Sequence, residues 1–231
     1  MEGGAAHHLG NVLRAQAGQL YELSDGSAAW VARVESVTRN RIDFVLLEQL
    51  PAPSPTIAVT LLLSIVKFDA FEWAIEKATE LGVDRIIPLA AARSEKGLVA
   101  AAEKRSQRWQ KILLESSQQS RRLRVPQLEE LAKPAQAFSA QTADFRFMLS
   151  ERSDAISIRN SLAGSNNPKT SSFAPPSAAL AIGPEGGWTD DELAAARAAS
   201  FREASLGQLI LRTETAVISA LATLNFALST D

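Results

Sequence analysis

Residues 179–196 read ALAIGPEGGWTDDELAAA, and the order of signals in this stretch sets the fold class. A short apolar run, Ala179 to Ile182, stops at Gly183-Pro184-Glu185-Gly186-Gly187, and a helical pattern begins just beyond it. Thr189 followed three positions later by Glu192 is a capping box, the signature of a helix start. Strand, glycine-rich turn and helix in that order form the unit of an α/β sheet, where ligands bind beyond the carboxyl ends of the strands. The glycines admit two readings: a tight turn that tolerates no side chain, or backbone laid open for a ligand. Their spacing matches neither G-x-G-x-x-G nor G-x-x-x-x-G-K-[ST], so neither a Rossmann dinucleotide site nor a P-loop is predicted.

The alternation extends upstream. TIAVTLLLSIV (56–66) reads as a buried strand, FEWAIEKATELGV (71–83) as a helix ended by Gly82, and DRIIPLAA (84–91) as a second strand. A long helix is predicted across Leu98 to Arg121, and FRFMLSE (145–151) reads as a strand. Together these predict an α/β domain over residues 56–231 with a mostly parallel sheet. Before it, GQLYEL, AAWVARVESV and IDFVLLEQL are separated by Ser-Asp-Gly-Ser and Thr-Arg-Asn-Arg, which predicts a small antiparallel β domain over residues 1–53. PAPSP (51–55) reads as a linker and GSNNPKTSSFAPPS (164–177) as a low-complexity surface loop.

Composition removes several classes of function. Of 231 residues 46% are hydrophobic and 22% charged, and no apolar run approaches the length that spans a bilayer. MEGGAAHHLG has neither a basic n-region nor an apolar core, so a cytoplasmic protein without a secretory signal is expected. The chain has no cysteine, which excludes disulfides, zinc ribbons, iron–sulfur clusters and thiolate nucleophiles. His7 and His8 are the only histidines, too few for a multi-His metal site, and no metal is predicted. The net charge of −2 argues against indiscriminate coating of nucleic acid, although local basic patches can still meet phosphate.

A second segment, LGQLILRTETAVISALATL (206–224), repeats the logic. Leu206-Gly207 closes one element, and Thr213 or Thr215 caps a final apolar helix running to about Leu228. Arg212 and Glu214 then stand at a helix N-terminus, at the sheet edge that carries the glycine-rich turn. They could pair with each other or with the helix end. A cation beside the positive end of a helix dipole is disfavoured, however, so an anionic nucleotide or phosphate would account for the arginine.

Taken together, IGPEGGWTDDE, LGQLILRTETA, EWAIEKATELGV and HHLGNVLRAQAGQLYELSDG resemble the ribosomal RNA small subunit methyltransferase E family, of the SPOUT class. The resemblance runs over nearly the whole chain and in the right order. It implies a PUA-like RNA-binding β-barrel followed by a SPOUT domain whose carboxyl-terminal segment forms a trefoil knot. It also implies a cytoplasmic homodimer that moves a methyl group from S-adenosyl-L-methionine to N3 of one uridine in the decoding region of 16S rRNA, with the assembled small subunit as partner. The implied cofactor cradle is the backbone around Ile182, Gly183, Gly187, Leu206, Gly207 and Leu211, with Thr215 and Ala216. Arg212 is the expected partner of the uracil anion or its phosphate, and Glu185 or Glu214 the expected proton acceptor. RNA contacts are implied for Arg14, Arg93, Ser94, Gln119, Arg121 and Arg122. A cysteine-free chain suits this chemistry, because N3 requires deprotonation and alignment and no thiol adduct.

The chain departs from the family in three places. QQSRR (118–122) stands where the family has Glu-Gln-Ser-Gly-Arg, Leu206-Gly207-Gln208-Leu209 replaces Leu-Gly-Pro-Arg, and the opening strand of the first domain is missing. Lys104, Arg108 and Lys111 recur at helical spacing, and Arg121, Arg122 and Arg124 extend the run, as either an RNA-facing stripe or a solvated helix face. Two other functions are compatible with the motifs: methylation of a different RNA, and a non-catalytic RNA-binding assembly factor.

Overall fold

The amino-terminal period-two segments form an antiparallel sheet of order β1-β2-β3: Leu20–Ser24 (β1), Ala29–Val37 (β2) and Ile42–Leu50 (β3). A short helix, Gly3–His7 (α1), and a π-helical turn to Val12 precede them. The Asp-Gly signal is the β1–β2 turn, where Asp25 Oδ1 accepts from the amides of Ala28 and Ser27 and from the Ser27 hydroxyl. Those bonds, the Ala28 amide foremost, hold the Asp25 carboxyl below its ordinary pKa. Ala6, Leu9, Ala15, Val34 and Ile42 make the small core, against which Tyr21 and Phe44 pack edge to face. This is one of two units of the chain, Met1–Ser54 and Pro55–Asp231. The computed structural model describes residues 1–51, 57–152, 154–163 and 175–228. Beyond Pro51 the proline segment therefore lies outside the described residues, as does the loop at 164–177 up to residue 174.

The second unit is built on a parallel sheet, seven-stranded among the described residues, of order β6-β5-β4-β9-β7-β10-β8. Its strands are Ala58–Ser64 (β4), Arg85–Leu89 (β5), Gln127–Leu128 (β6), Phe145–Leu149 (β7), Ile156–Ser157 (β8), Ser177–Ile182 (β9) and Arg202–Ser205 (β10). The helices are Phe68–Glu80 (α2), Lys96–Ala101 (α3), Ser106–Gln119 (α4), Pro134–Ser139 (α5), Ile158–Ala163 (α6), Asp190–Ala198 (α7) and Thr213–Leu228 (α8). Central β4 and β9 read as near-continuous apolar runs because helices cover both faces. Val59, Leu61 and Leu63 join Leu180 and Ile182 in one core with α2, α4 and α8, while Leu62, Ala179 and Ala181 join the other with α5 and α7.

Helix α2 follows from its pattern: Phe71, Ala74, Ile75 and Ala78 recur at helical spacing and are all fully buried. Burial of Phe71 and Ile75 contributes about 1.5–3 kcal/mol each. Asn225 on α8 donates to the Leu81 carbonyl at 2.7 Å, tying the last helix to the end of α2. The long helix predicted for Leu98 to Arg121 is instead broken into α3, a 3-10 turn at Glu103–Arg105 and α4, which ends at Gln119. Helix α3 buries no residue of its own. The break draws Ala102 into the core and sets the Arg105 guanidinium over the Phe68 ring, 4.5 Å from its centroid.

Arg122 closes the corner after α4. Its Nη1 donates to the carbonyls of Thr79 (2.9 Å) and Val83 (2.6 Å), and Nη2 lies 3.5 Å from Asp84 Oδ1. Burial lowers its pKa from the ordinary arginine value, against the opposing pull of Asp84. Arg122→Ala strands the Val83 carbonyl, while the Thr79 carbonyl keeps the Gly82 amide at 3.1 Å, and is expected to cost about 1–3 kcal/mol, read as a lower denaturant midpoint at unchanged m-value. Arg122→Lys is expected to recover only part, since a point charge cannot copy the fork. A midpoint equal to the parent's would show that the corner closes without it.

Candidate active site

The glycine-rich turn leaves the carboxyl end of β9 and folds over an indole. A Cβ on Gly183 would stand 3.1 Å from Trp188 Cε2 and Nε1, closer than ordinary contact, so any side chain here would require the indole to shift by a few tenths of an ångström. Gly187, at φ +69°, adopts a conformation other residues avoid, and its amide closes the turn on the Pro184 carbonyl at 2.8 Å. Trp188 Nε1 donates to the Leu149 carbonyl at the end of β7, at 2.9 Å. Helix α7 then starts on the Thr189–Glu192 capping box read from the sequence.

The second segment lies beside the first. Thr213 and Thr215 both fall inside the first turn of α8, which leaves Arg212 at the position before the helix, its carbonyl accepting from the Ala216 amide. The Thr213 hydroxyl is directed to the Gly183 carbonyl at 3.4 Å, which links the start of α8 to the glycine-rich turn.

Between these segments opens a cavity of about 1310 Å³ at the carboxyl ends of β7, β9 and β10. Of the residues singled out in the sequence, Ile182, Gly183, Glu185, Gly187, Leu206, Gly207, Leu211, Arg212, Ala216 and Arg93 line it. Glu214 and Thr215 are not on its wall. Three arginines are on the wall, and they differ in their partners. Arg152 pairs with Asp154 and Asp190 at 3.3 and 3.4 Å. Among the described residues Arg93 donates to the Gly186 carbonyl alone, at 2.8 Å, and no hydrogen bond or ion pair engages the Arg212 or Glu185 side chains. Glu151 and Arg152 went unremarked in the sequence, although the rule that ligands bind past strand ends, applied to FRFMLSE, points to them.

The remaining candidates sit elsewhere. Ser94 is buried, with its hydroxyl donating to the Ile65 carbonyl at 2.7 Å. Arg122 serves the corner described above, while Gln119 and Arg121 are exposed at the end of α4. Arg14 is exposed in the first unit. In the basic stripe, Arg108 reaches the buried carboxylate of Glu72 at 2.8 Å, joined there by Arg105 from outside the stripe at 3.4 Å, which gives Arg108 a packing role. Among the described residues no three His, Asp or Glu side chains cluster as a metal would need.

This arrangement has known counterparts. A family model of the RNA methyltransferase domain matches residues 52–225, and one of the RNA methyltransferase PUA domain matches residues 2–47. The ribosomal RNA small subunit methyltransferase E of Bacillus subtilis is 31% identical over 238 residues, covering 97% of this chain and 88% of that protein. The chain belongs to the ribosomal RNA small subunit methyltransferase E family. Another methyltransferase E, from Synechocystis sp., is 32% identical over 224 residues, 95% of this chain and 70% of that protein. The solved methyltransferase E of Neisseria gonorrhoeae, bound to S-adenosyl methionine, superposes with a TM-score of 0.84 at 28% identity, covering 98% of this chain and 90% of that one. A Legionella pneumophila methyltransferase in complex with the same cofactor gives a TM-score of 0.80 at 29% identity, over 96% of this chain and 89% of that one.

Proposed function

We propose that this chain methylates N3 of one uridine in the decoding region of 16S rRNA, using S-adenosylmethionine and acting on the small ribosomal subunit in the cytoplasm as a homodimer. The observation that carries the reading is the cavity itself: two backbone turns face one space, and Arg212 stands on its wall with no carboxylate partner among the described residues. At about 1310 Å³ the space exceeds the roughly 300–1,000 Å³ of sites for drug-sized ligands, leaving room for a nucleobase beside the cofactor.

The wall chemistry fits S-adenosylmethionine. Ile182, Leu206, Leu211 and Ala216 supply apolar surface for an adenine, the two turns supply amides and carbonyls, and Glu151, with Asp154 and Asp190 in excess over the one Arg152 they share, supplies negative charge for a cationic ligand. When bound, that cofactor supplies a methyl group on a good sulfonium leaving group. The residues of the chain align the base and stabilise the charge it develops. Arg212 meets the uracil anion or the adjoining phosphate. Glu185, exposed on the wall, takes the N3 proton directly or through water. The knotted carboxyl-terminal segment that the SPOUT resemblance implies is part of the same proposal.

Labelled S-adenosylmethionine with small subunits lacking the modification is expected to mark a single uridine of 16S rRNA as the N3-methyl nucleoside. Label at another atom or in another RNA would overturn the substrate assignment, and absence of calorimetric heat with S-adenosylhomocysteine would overturn the cofactor site. The homodimer is supported by apolar side chains left open on this unit, Ile210 at 77% and Phe226 at 91% exposure. Sedimentation at micromolar concentration is expected to give twice the 24.8 kDa chain mass, and a species at the chain mass would exclude the dimer.

A further inference from the structure

The capping box of α7 holds more than the helix. A capping box needs one carboxylate oxygen on the N-cap amide. Here Glu192 Oε2 accepts from the Thr189 amide at 2.8 Å and from its hydroxyl at 3.0 Å. The other oxygen, Oε1, leaves the helix and accepts from the Ala92 amide at 2.8 Å, a hundred residues away in sequence. Glu192 is only 9% exposed, so these bonds form where water competes poorly.

The loop it reaches is the one that carries Arg93. On the far side of Arg93, the Ser94 hydroxyl is fixed to the Ile65 carbonyl at 2.7 Å. The arginine is thus rooted between two anchored neighbours, and its Nη1 crosses to the Gly186 carbonyl at 2.8 Å. Its stem lies flat on the turn, for a Cβ on Gly186 would stand 3.2 Å from Arg93 Cβ. Glu192 thus ties the Ala92–Ser94 loop to the start of α7, and from that tied loop Arg93 reaches the glycine-rich turn, so the two contacts act in series beside the cavity that Arg93 and the turn line.

We propose that Glu192 is a positioning residue: it fastens the Ala92–Ser94 loop to the start of α7, so that Arg93 holds the Gly-Pro-Glu-Gly-Gly turn in the shape the cavity requires. This rests on the reading of the cavity as the methyl-transfer site, and its consequence is that cofactor binding depends on a side chain outside the cavity wall.

Three variants test it in the full-length protein: Arg93→Ala, Glu192→Gln and the two combined. Glutamine is accepted at this place in a capping box. Glu192→Gln therefore keeps the cap through its one oxygen while setting an amide NH₂ against the Ala92 N–H. The first readout is hydrogen exchange of the Gly187 amide without cofactor. Each single variant is expected to raise it about tenfold, and the double variant no further, because both cut the same linkage. The second is the dissociation constant of S-adenosylhomocysteine by calorimetry, expected to weaken about tenfold in each single variant and no more in the double. Effects that multiply in the double variant would overturn the proposal, as would a Glu192→Gln protein that melts lower with exchange and affinity unmoved. A parent protein that transfers no methyl group but shows the expected exchange pattern would refute the methylation reading and leave the fastening intact.

Discussion

Arg212→Ala is expected to lower methyl transfer about a hundredfold or more while cofactor affinity stays within a few-fold, since a side chain that meets charge developing in the transition state is typically worth about 3 kcal/mol. The backbone at this position does its structural work through the Arg212 carbonyl, which accepts from the Ala216 amide, and alanine keeps that bond. The side chain is exposed and engages no carboxylate among the described residues, so folding loses nothing on its removal. A cation before a helix N-terminus is, if anything, unfavourable to the free protein. Arg212→Lys is expected to recover little, because a planar two-pronged donor differs from a point charge. Single-turnover methylation, calorimetry and melting are measured on the same preparations. Loss of cofactor binding together with turnover, or a large drop in melting temperature, would make Arg212 a structural residue and remove it from the active site.

Trp188→Ala is expected to destabilise the protein by about 3–5 kcal/mol, the cost of emptying a large aromatic site in a core. The indole is 8% exposed, packs edge to face on Phe138 with ring centroids 5.8 Å apart, and lies directly under Gly183. Its removal also strands the Leu149 carbonyl and takes away the floor of the glycine-rich turn, so cofactor affinity is expected to fall with stability. Trp188→Phe separates the two effects: it keeps an aromatic floor and loses the hydrogen bond, which costs about 1–3 kcal/mol. Denaturant midpoints and calorimetric titrations distinguish them. A Trp188→Ala protein as stable as the parent would show that the turn holds its shape unaided.

Much of this architecture is legible in the sequence because the decisive elements are local. The Thr189–Glu192 spacing announces α7, the Phe71–Ala78 periodicity announces α2, and the apolar runs of β4 and β9 announce buried parallel strands. Strands β6, β8 and β10 pass unnoticed, since two to four residues are too few to display a period. The break between α3 and α4 is equally hidden: it answers to Phe68 and Glu72 on another helix, which no local pattern reports. At Arg121, where the family carries glycine, φ is +56°, so the backbone demand that glycine meets persists in this chain with a side chain in its place. In the site, the residues placed by the two motifs line the cavity except Glu214 and Thr215, whereas Glu151 and Arg152 contribute through the end of a strand that carries no motif. The partners of Ser94 and Arg122 are carbonyls of distant segments, beyond the reach of spacing arguments.

The position of β4 inside the sheet, between β5 and β9, has a cost in time. One side of this strand pairs with β5, soon after it in sequence, but the other pairs with β9 along Ala58–Leu63, and the final helix returns to Leu81 from Asn225, 144 residues later. On a growing chain the apolar β4 edge therefore waits, unpaired, while most of the domain is still being made, and an open apolar edge is a template for pairing with a neighbouring nascent chain. Such long-range closure also folds slowly. The sheet position that buries β4 between β5 and β9 in the mature protein makes that same strand an aggregation hazard during synthesis, so the yield of active protein depends on how quickly β9 follows.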